Sequence, residues 1–303
     1  MDNILERKVR LMQKNTRSTW MLMVSMFIFG TLSPFVRNIP VTSGELALYR
    51  ALLAAALIGG FLLVTRQTIN FKAIRKELVL LLLSGAAMGF NWILLFQAYK
   101  YTTVSVATLS YYFAPVIVTA ACPILFKEKL SAKQVICFVM STIGLILITV
   151  TGDGAAGSSD LIGILFGLGA ASLYATVVLL NKFIKNVAGI HRTFLQFLAA
   201  ILVLIPYVAC TSGVTLGGMN VTGWVCLLIV GLVHTGITYC MYFSSLGDLP
   251  GQKAAILSYI DPLVAVLISV TVLGESMRPL QILGGALILG FTLWNELPGK
   301  KRM

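Results

Sequence analysis

Residues 254–263 set a carboxylate, Asp261, directly before Pro262 in an apolar run long enough to cross a membrane. An ionisable side chain at membrane depth costs at least about 2.5–3.5 kcal/mol on insertion scales, so Asp261 is a functional candidate by default. Pro262 removes one backbone donor and crowds the carbonyl of Ser258, so the helix is expected to bend or open there. Such an acid could exchange a proton during a transport cycle, or bind a cationic group. It could also satisfy backbone donors loosened by Pro262, or pair statically with Arg50 or His234.

Other polar residues of the same kind lie deep in apolar runs. Thr108, Tyr111, Tyr112 and Pro115 follow i, i+3, i+4, i+7 spacing and share one helix face. Further along, Thr235, Tyr239 and Tyr242 share a face, with His234 and Thr238 beside it. His234 could shuttle protons, having an unperturbed pKa near about 6.5, or hydrogen-bond a neighbouring helix. Asn91 could bind substrate or bridge helices. Trp92 could stack on a flat or cationic ligand, worth roughly 0.5–2 kcal/mol for a cation, or simply pack. Tyr174, Ser258 and Tyr259 complete the candidate lining; the alternative for the tyrosines and hydroxyls is interfacial anchoring or hydrogen bonding between helices. Arg50, near the outer end of its apolar run, could snorkel outward or pair with Glu45, and the two read as a helix-positioning pair.

The elements that must position these residues are membrane helices. The 303 residues are 58% hydrophobic and 11% charged, with mean hydropathy +0.91. A soluble domain averages about 45–50% apolar and about 25% charged. Ten runs reach the roughly 20 residues that a crossing needs: 18–37, 44–65, 78–99, 103–126, 133–151, 160–184, 191–211, 221–246, 252–273 and 279–297, here called spans 1 to 10. The net charge of +12 could suggest nucleic acid, but the basic residues sit at the ends of the apolar runs. With the N-terminus inside, 19 of the 23 Lys and Arg fall in cytoplasmic segments, while Arg37, Lys100 and Arg278 fall outside and Arg50 lies within span 2. Both termini are therefore expected in the cytoplasm of a plasma-membrane protein. The first run is too long for a signal-peptide core and lacks a small-residue cleavage site, so it is expected to stay as a span. Cys122, Cys137, Cys210, Cys226 and Cys240 all lie in apolar runs, without metal spacing, and read as small buried hydrophobes.

Residues 89–150 lie over 236–297 at a constant offset of 147 without gaps. Tyr112 matches Tyr259, Pro115 matches Pro262, Glu128 matches Glu275 and Gln134 matches Gln281. Upstream, 46–55 resembles 192–201 at an offset near 146. Each half holds five spans, an odd number, so the second half enters the membrane inverted. The expected organisation is all-α. It comprises a basic segment 1–17, a first five-helix repeat 18–151, a polar link 152–159, a second repeat 160–297 and a tail 298–303. Asp261 has no twin, since its partner is Ala114, whereas Glu128 and Glu275 occur in both halves and read as caps for the next helix. Gly163, Gly167, Gly284, Gly285 and Gly290 read as close helix contacts; Gly247, Pro250 and Gly251 mark the turn between spans 8 and 9.

Two phrases carry a family resemblance. One is Ala114-Pro115-Val116 with Lys127-Glu128-Lys129-Leu130 and Gln134. The other is Asp261-Pro262-Leu263 with Leu273-Gly274-Glu275-Ser276 and Gln281 through Gly285. They resemble the EamA-type ten-helix transporters of the drug/metabolite transporter superfamily, across about residues 18–297. Phe126-Lys127 departs from the Leu-Gly usual at that turn. The resemblance implies a central cavity lined by spans 1, 3, 4, 6, 8 and 9, and alternating access for small metabolites or amino acids, often outward.

The expectation is a secondary active transporter, possibly proton-coupled through Asp261 or His234. An importer of a cationic or aromatic molecule is the alternative. No His-Glu-x-x-His, Gly-x-Ser-x-Gly or Walker motif is present, and no carboxylate ring that would mark a channel filter, so an enzyme, an ATP-driven pump or a channel is disfavoured. No cofactor and no metal are expected. The expected partners are a small-molecule substrate and the lipid bilayer, without nucleic acid, for a monomer or homodimer.

Overall fold

The structure, a computed structural model, describes residues 2–69, 74–126, 130–150, 154–187, 189–246, 249 and 251–297. Of the positions singled out above, Lys127, Glu128, Lys129, Gly152, Asp153, Gly247, Pro250 and the tail 298–303 lie outside these.

Among the described residues every regular element is a helix, and each expected span has its helix. Spans 2, 3, 5, 6, 7 and 10 are continuous: Ser43–Val64, Leu78–Tyr101, Ala132–Val150, Gly154–Phe183, Gly189–Thr211 and Pro279–Glu296. Among the described residues, eight helical stretches are long and apolar enough to cross a membrane, and the shorter Ile256–Thr271 belongs to span 9. Span 2 starts at a capping box, in which Glu45 N–H donates to Thr42 Oγ1 at 3.2 Å and Thr42 N–H to Glu45 Oε2 at 3.1 Å. Span 6 begins at Gly154, so most of the expected link 152–159 is already helix.

Three spans are interrupted, and a fourth changes its helical pitch. Span 1 runs Asp2–Gly30, breaks at Thr31 and resumes over Leu32–Arg37. Span 4 is Val104–Tyr111, a turn at Tyr112 and Phe113, then Ala114–Phe126. Span 9 repeats this as Gly251–Ser258, a turn at Tyr259, then Ile260–Thr271. Pro115 and Pro262 sit in the first turn of the second segments, where a missing N–H costs nothing. Span 8 stays helical but widens: Ile229–Ile237 is a π-helix between Val221–Leu228 and Thr238–Leu246.

The packing follows the repeat. Span 1 packs on spans 8 and 9, and its counterpart span 6 packs on spans 3 and 4. Span 2 packs on span 7, span 4 on span 9, and span 5 on span 10, each pair being its own counterpart. The two halves therefore interlock about a pseudo-two-fold axis, as inverted repeats do. The large apolar core lies between spans 2, 3, 7 and 8, around Trp92, Phe96 and Phe197.

The interlock depends on small residues. A Cβ on Gly284 would sit 2.5 Å from the carbonyl oxygen of Gly144, and one on Gly144 2.6 Å from that of Gly284, so spans 5 and 10 meet backbone to backbone. Gly163 and Gly167 are likewise closed off by Thr102 and Ser110, and Gly285 by Leu109. Gly290 differs from the expectation, having no heavy atom within 4 Å of an added Cβ. Gly284→Ala must push two backbones apart, and overpacking of this kind costs about 1–3 kcal/mol. A lowered melting temperature in detergent for Gly284→Ala, beside an unchanged one for Gly290→Ala, is the expected result.

Polar contacts pin both ends of the bundle. At one end Thr102 Oγ1 donates to Asp160 at 2.7 Å, tying span 3 to span 6. At the same end Glu275 pairs with Arg37, accepts the Val104 N–H at 2.8 Å and accepts the Ser269 hydroxyl. At the other end Glu77 accepts from the Lys185 and Asn186 backbones, and Lys133 donates to the Asn295 carbonyl at 3.2 Å. The expected role of Glu275 is thereby corrected. It caps the start of span 4 in the opposite half, while the helix that follows it is served by Gln281, which accepts the Arg278 N–H at 3.0 Å.

Candidate functional site

The interrupted spans converge on Asp261. The break at Tyr259 frees the backbone ahead of Ile260, so Asp261 falls in the first turn of a new helix, where the dipole favours a carboxylate. Across the pseudo-two-fold axis the equivalent break ends the first segment of span 4, Val104–Tyr111, and the Tyr112 hydroxyl donates to Asp261 Oδ2 at 2.6 Å. The tyrosine of one break thus holds the acid of the other. This differs from the static partners expected for Asp261: Arg50 and His234 are both engaged elsewhere. Span 1 closes over the joint, since a Cβ on Gly30 would lie 2.6 Å from the Asp261 carbonyl oxygen.

Aromatic rings surround the carboxylate. Tyr111 packs against Tyr112 with centroids 5.8 Å apart, and against Tyr174 at 5.6 Å. Tyr99, Tyr111, Tyr112, Tyr174 and Tyr239 all lie within electrostatic reach of Asp261. On the span 8 side Tyr239 meets Phe29 at 5.1 Å and Tyr242 meets Phe243 at 4.9 Å. Tyr174 is 42% exposed, and Tyr111, Tyr112, Tyr242 and Asp261 are half-buried. The cluster therefore sits, partly exposed, where spans 1, 3, 4, 6, 8 and 9 come together.

The other candidates divide. Asn91 is buried and donates from Nδ2 to the Ala170 carbonyl at 2.6 Å, so it bridges span 3 to span 6 beside Tyr111. Trp92 is buried, and its face carries the Arg50 guanidinium with Cζ 4.7 Å from the ring centroid. The buried Thr108 hydroxyl lies against the Tyr99 phenol. Thr238 and Ser258 bond back to the Val233 and Ala254 carbonyls of their own helices. Tyr259 lies instead beside Thr292 of span 10. His234 is held at both ring nitrogens, Nε2 3.1 Å from Thr31 Oγ1 and Nδ1 3.4 Å from the Ile229 carbonyl, against Phe35. It ties the break in span 1 to the π-segment of span 8.

The expected Glu45–Arg50 pair is absent. Five residues apart on a helix, the two are separated by about 140° around the axis. Glu45 is fully buried and accepts from the Thr215 N–H at 2.6 Å and the Tyr49 hydroxyl at 3.2 Å. Arg50 is 4% exposed and turns inward, donating from Nε to Thr235 Oγ1 at 3.0 Å. Tyr99 and Thr31 also belong to this region and went unmarked in the sequence. The 147-residue offset, which sets the flagged His234 beside no equivalent histidine, gave no hint of Thr31.

The family model for the EamA-like transporter family matches residues 16–150 and again 161–295, one copy per half. The chain belongs to the EamA-like transporter family. Relatives of this EamA-like chain carry transporter names. One is "Uncharacterized transporter YxxF" of Bacillus subtilis (strain 168), 31% identical over 281 residues that cover 91% of this chain and 88% of the relative. Another is "Uncharacterized inner membrane transporter YhbE" of Escherichia coli (strain K12), 26% identical over 164 residues, covering 52% and 51%. A solved chain titled "Crystal structure of protein" superposes with a TM-score of 0.61 at 15% identity, covering 91% of this chain and 95% of that one, which shows the shared fold. The bond from Tyr112 to Asp261 joins the two EamA copies, so that this family's repeat and the tyrosine-held acid are parts of one arrangement. The protein is a multi-pass membrane protein of transporter type.

Proposed function

We propose that the chain is a secondary active transporter that moves small metabolites or amino acids outward across the plasma membrane by alternating access, coupled to protons through Asp261. The observation that carries this reading is the hydrogen bond from Tyr112 to Asp261 across the two helix breaks. A charge-assisted bond of this kind is about twice as strong as a neutral one. Protonation of Asp261 removes the charge and loosens the joint between spans 4 and 9; deprotonation restores it. A joint with two strengths, set where the halves meet, is what a rocking carrier needs. His234 is the lesser proton candidate, because both of its ring nitrogens already have protein partners.

The placement of 19 basic residues in segments on one side supports cytoplasmic termini. Under that orientation the Glu275 network closes the outer end. The inner-membrane name of one relative supports the plasma membrane, and the outward direction rests on the family resemblance. Substrate-stimulated counterflow in proteoliposomes tests the carrier reading. A carrier gives saturable counterflow; flux that rises without saturation and shows no counterflow contradicts it.

A further inference from the structure

Arg50 is an unusual residue for its place. It lies seven residues into span 2, about 10 Å along the helix from its start, and is 4% exposed. A guanidinium has five N–H donors in a planar fork. Only Nε has a described hydrogen bond, to Thr235. No carboxylate pairs with it among the described residues. The neighbouring acids are committed elsewhere: Glu45 to Thr42, Tyr49 and Thr215, and Asp261 to Tyr112. The guanidinium lies on aromatic faces instead, with Cζ 4.7 Å from the Trp92 centroid and 5.4 Å from that of Phe96. Thr235 is itself aimed by the π-helix, its hydroxyl bonding the Val230 carbonyl five residues back at 2.8 Å. The protein thus builds a rigid mount for a cation and supplies no anion.

Arg50 and Asp261 share neighbours. Tyr99, Tyr111 and Tyr239 lie within electrostatic reach of Arg50, and the same three lie within reach of Asp261. The cation and the acid are therefore set about one group of tyrosines. Both break the repeat. Asp261 answers Ala114 at the offset of 147, and Arg50 answers Gln196 at the offset of 146. Gln196 is satisfied by its own half, donating to Ser84 at 2.6 Å and Asn181 at 2.8 Å. A fold that needed a buried cation for stability would place one in each half. Here one half holds the cation and the other the anion.

We propose that Arg50 is the anion-binding end of the transport site, and that the substrate is a small zwitterion whose carboxylate docks on Arg50 while its ammonium faces Asp261. This rests on the transporter reading and narrows its substrate class. Bidentate capture by the fork suits a carboxylate, and hydrogen bonds to charged groups put its worth at about 10–100-fold in affinity.

The test uses purified full-length protein and a matched panel: the common α-amino acids, their amides, and the amines left by decarboxylation, read by thermal shift and by counterflow. Wild type is expected to bind one or more free acids at least tenfold more tightly than the matching amide or amine. Arg50→Gln is expected to lose that preference. Arg50→Lys keeps the charge without the fork and is expected to fall between the two. Thr235→Val leaves the charge untouched and only unseats the guanidinium, so it keeps the test open should Arg50→Gln fail to fold; a partial loss of the preference is expected. Amides or amines that bind as well as acids, a panel with no carboxylate-dependent binding, or a preference that survives both Arg50→Gln and Thr235→Val would overturn the assignment. Carboxylate-dependent binding without counterflow would leave the Arg50 site standing and remove the carrier reading; counterflow of amines alone would do the reverse.

Discussion

Asp261→Asn is expected to lower coupled transport by at least about tenfold and to flatten its pH dependence, while the protein still folds. The substitution keeps the side chain's shape and an acceptor for the Tyr112 hydroxyl, so the joint between spans 4 and 9 retains its hydrogen bond. What is lost is the charge and the titration. A hydrogen bond to a charged group is worth about 1.5–3 kcal/mol against about 1 for a neutral one, so the joint also loses the difference between its two strengths. Tyr112→Phe separates these effects. It removes the donor and keeps the acid, so transport should slow by at least about tenfold, the equivalent of one hydrogen bond to a charged group, and its pH dependence should become shallower while the acid still titrates. The check is uptake or counterflow in proteoliposomes at a series of pH values, beside a melting curve for each variant. Unchanged pH-dependent transport by Asp261→Asn would take the acid out of the mechanism.

Glu275→Gln is expected to open the end of the bundle that it closes. Glu275 gathers three elements: Arg37 at the end of span 1, the Val104 N–H at the start of span 4, and Ser269 near the end of span 9. Ser269 is in turn bonded by the Ser105 hydroxyl at 2.7 Å, so spans 4 and 9 are also joined directly at this end. Its side chain is 8% exposed beside an Arg37 that is 38% exposed, so the ion pair is partly screened and the backbone cap carries much of the effect. Glutamine keeps one acceptor for Val104 and loses the charge. About 1–3 kcal/mol is at stake, which moves a two-state equilibrium about 5–150-fold. Faster labelling of a cysteine introduced at Thr103 by a membrane-impermeant maleimide would report the opening. An unchanged labelling rate would leave Glu275 as a cap alone.

Much of the fold is legible in the sequence, because a bilayer leaves few choices. Apolar length gives the spans to within a few residues, and the 147-residue offset gives the pseudo-symmetry that the packing of span 4 on span 9 obeys. The prolines mark the breaks at Tyr112 and Tyr259 because a missing N–H is tolerated only in a first turn. The bond between Tyr112 and Asp261 is less legible, since periodicity places side chains on a face and not the partner across it. The π-helix of span 8 escapes altogether. Its widened turn is set by tertiary contacts such as Gly231 against Leu53 and Thr235 against Arg50, with no local residue pattern to announce it. Arg50 is misread for a related reason: proximity in sequence suggests Glu45, but the helix turns the two apart, and Glu45 is drawn to the Thr215 turn 170 residues away. The glycines divide the same way, Gly284 against a backbone and Gly290 against open space, a distinction that no spacing rule contains.

Alternating access, as proposed, requires that one end of the bundle open for the site to exchange its contents. Arg37→Cys with Glu275→Cys, in a background without the native cysteines, can be joined by a short cleavable thiol crosslinker and assayed for counterflow in proteoliposomes. Counterflow should fall to background on crosslinking and return on cleavage. Undiminished counterflow with the crosslink complete would contradict alternating access through this end.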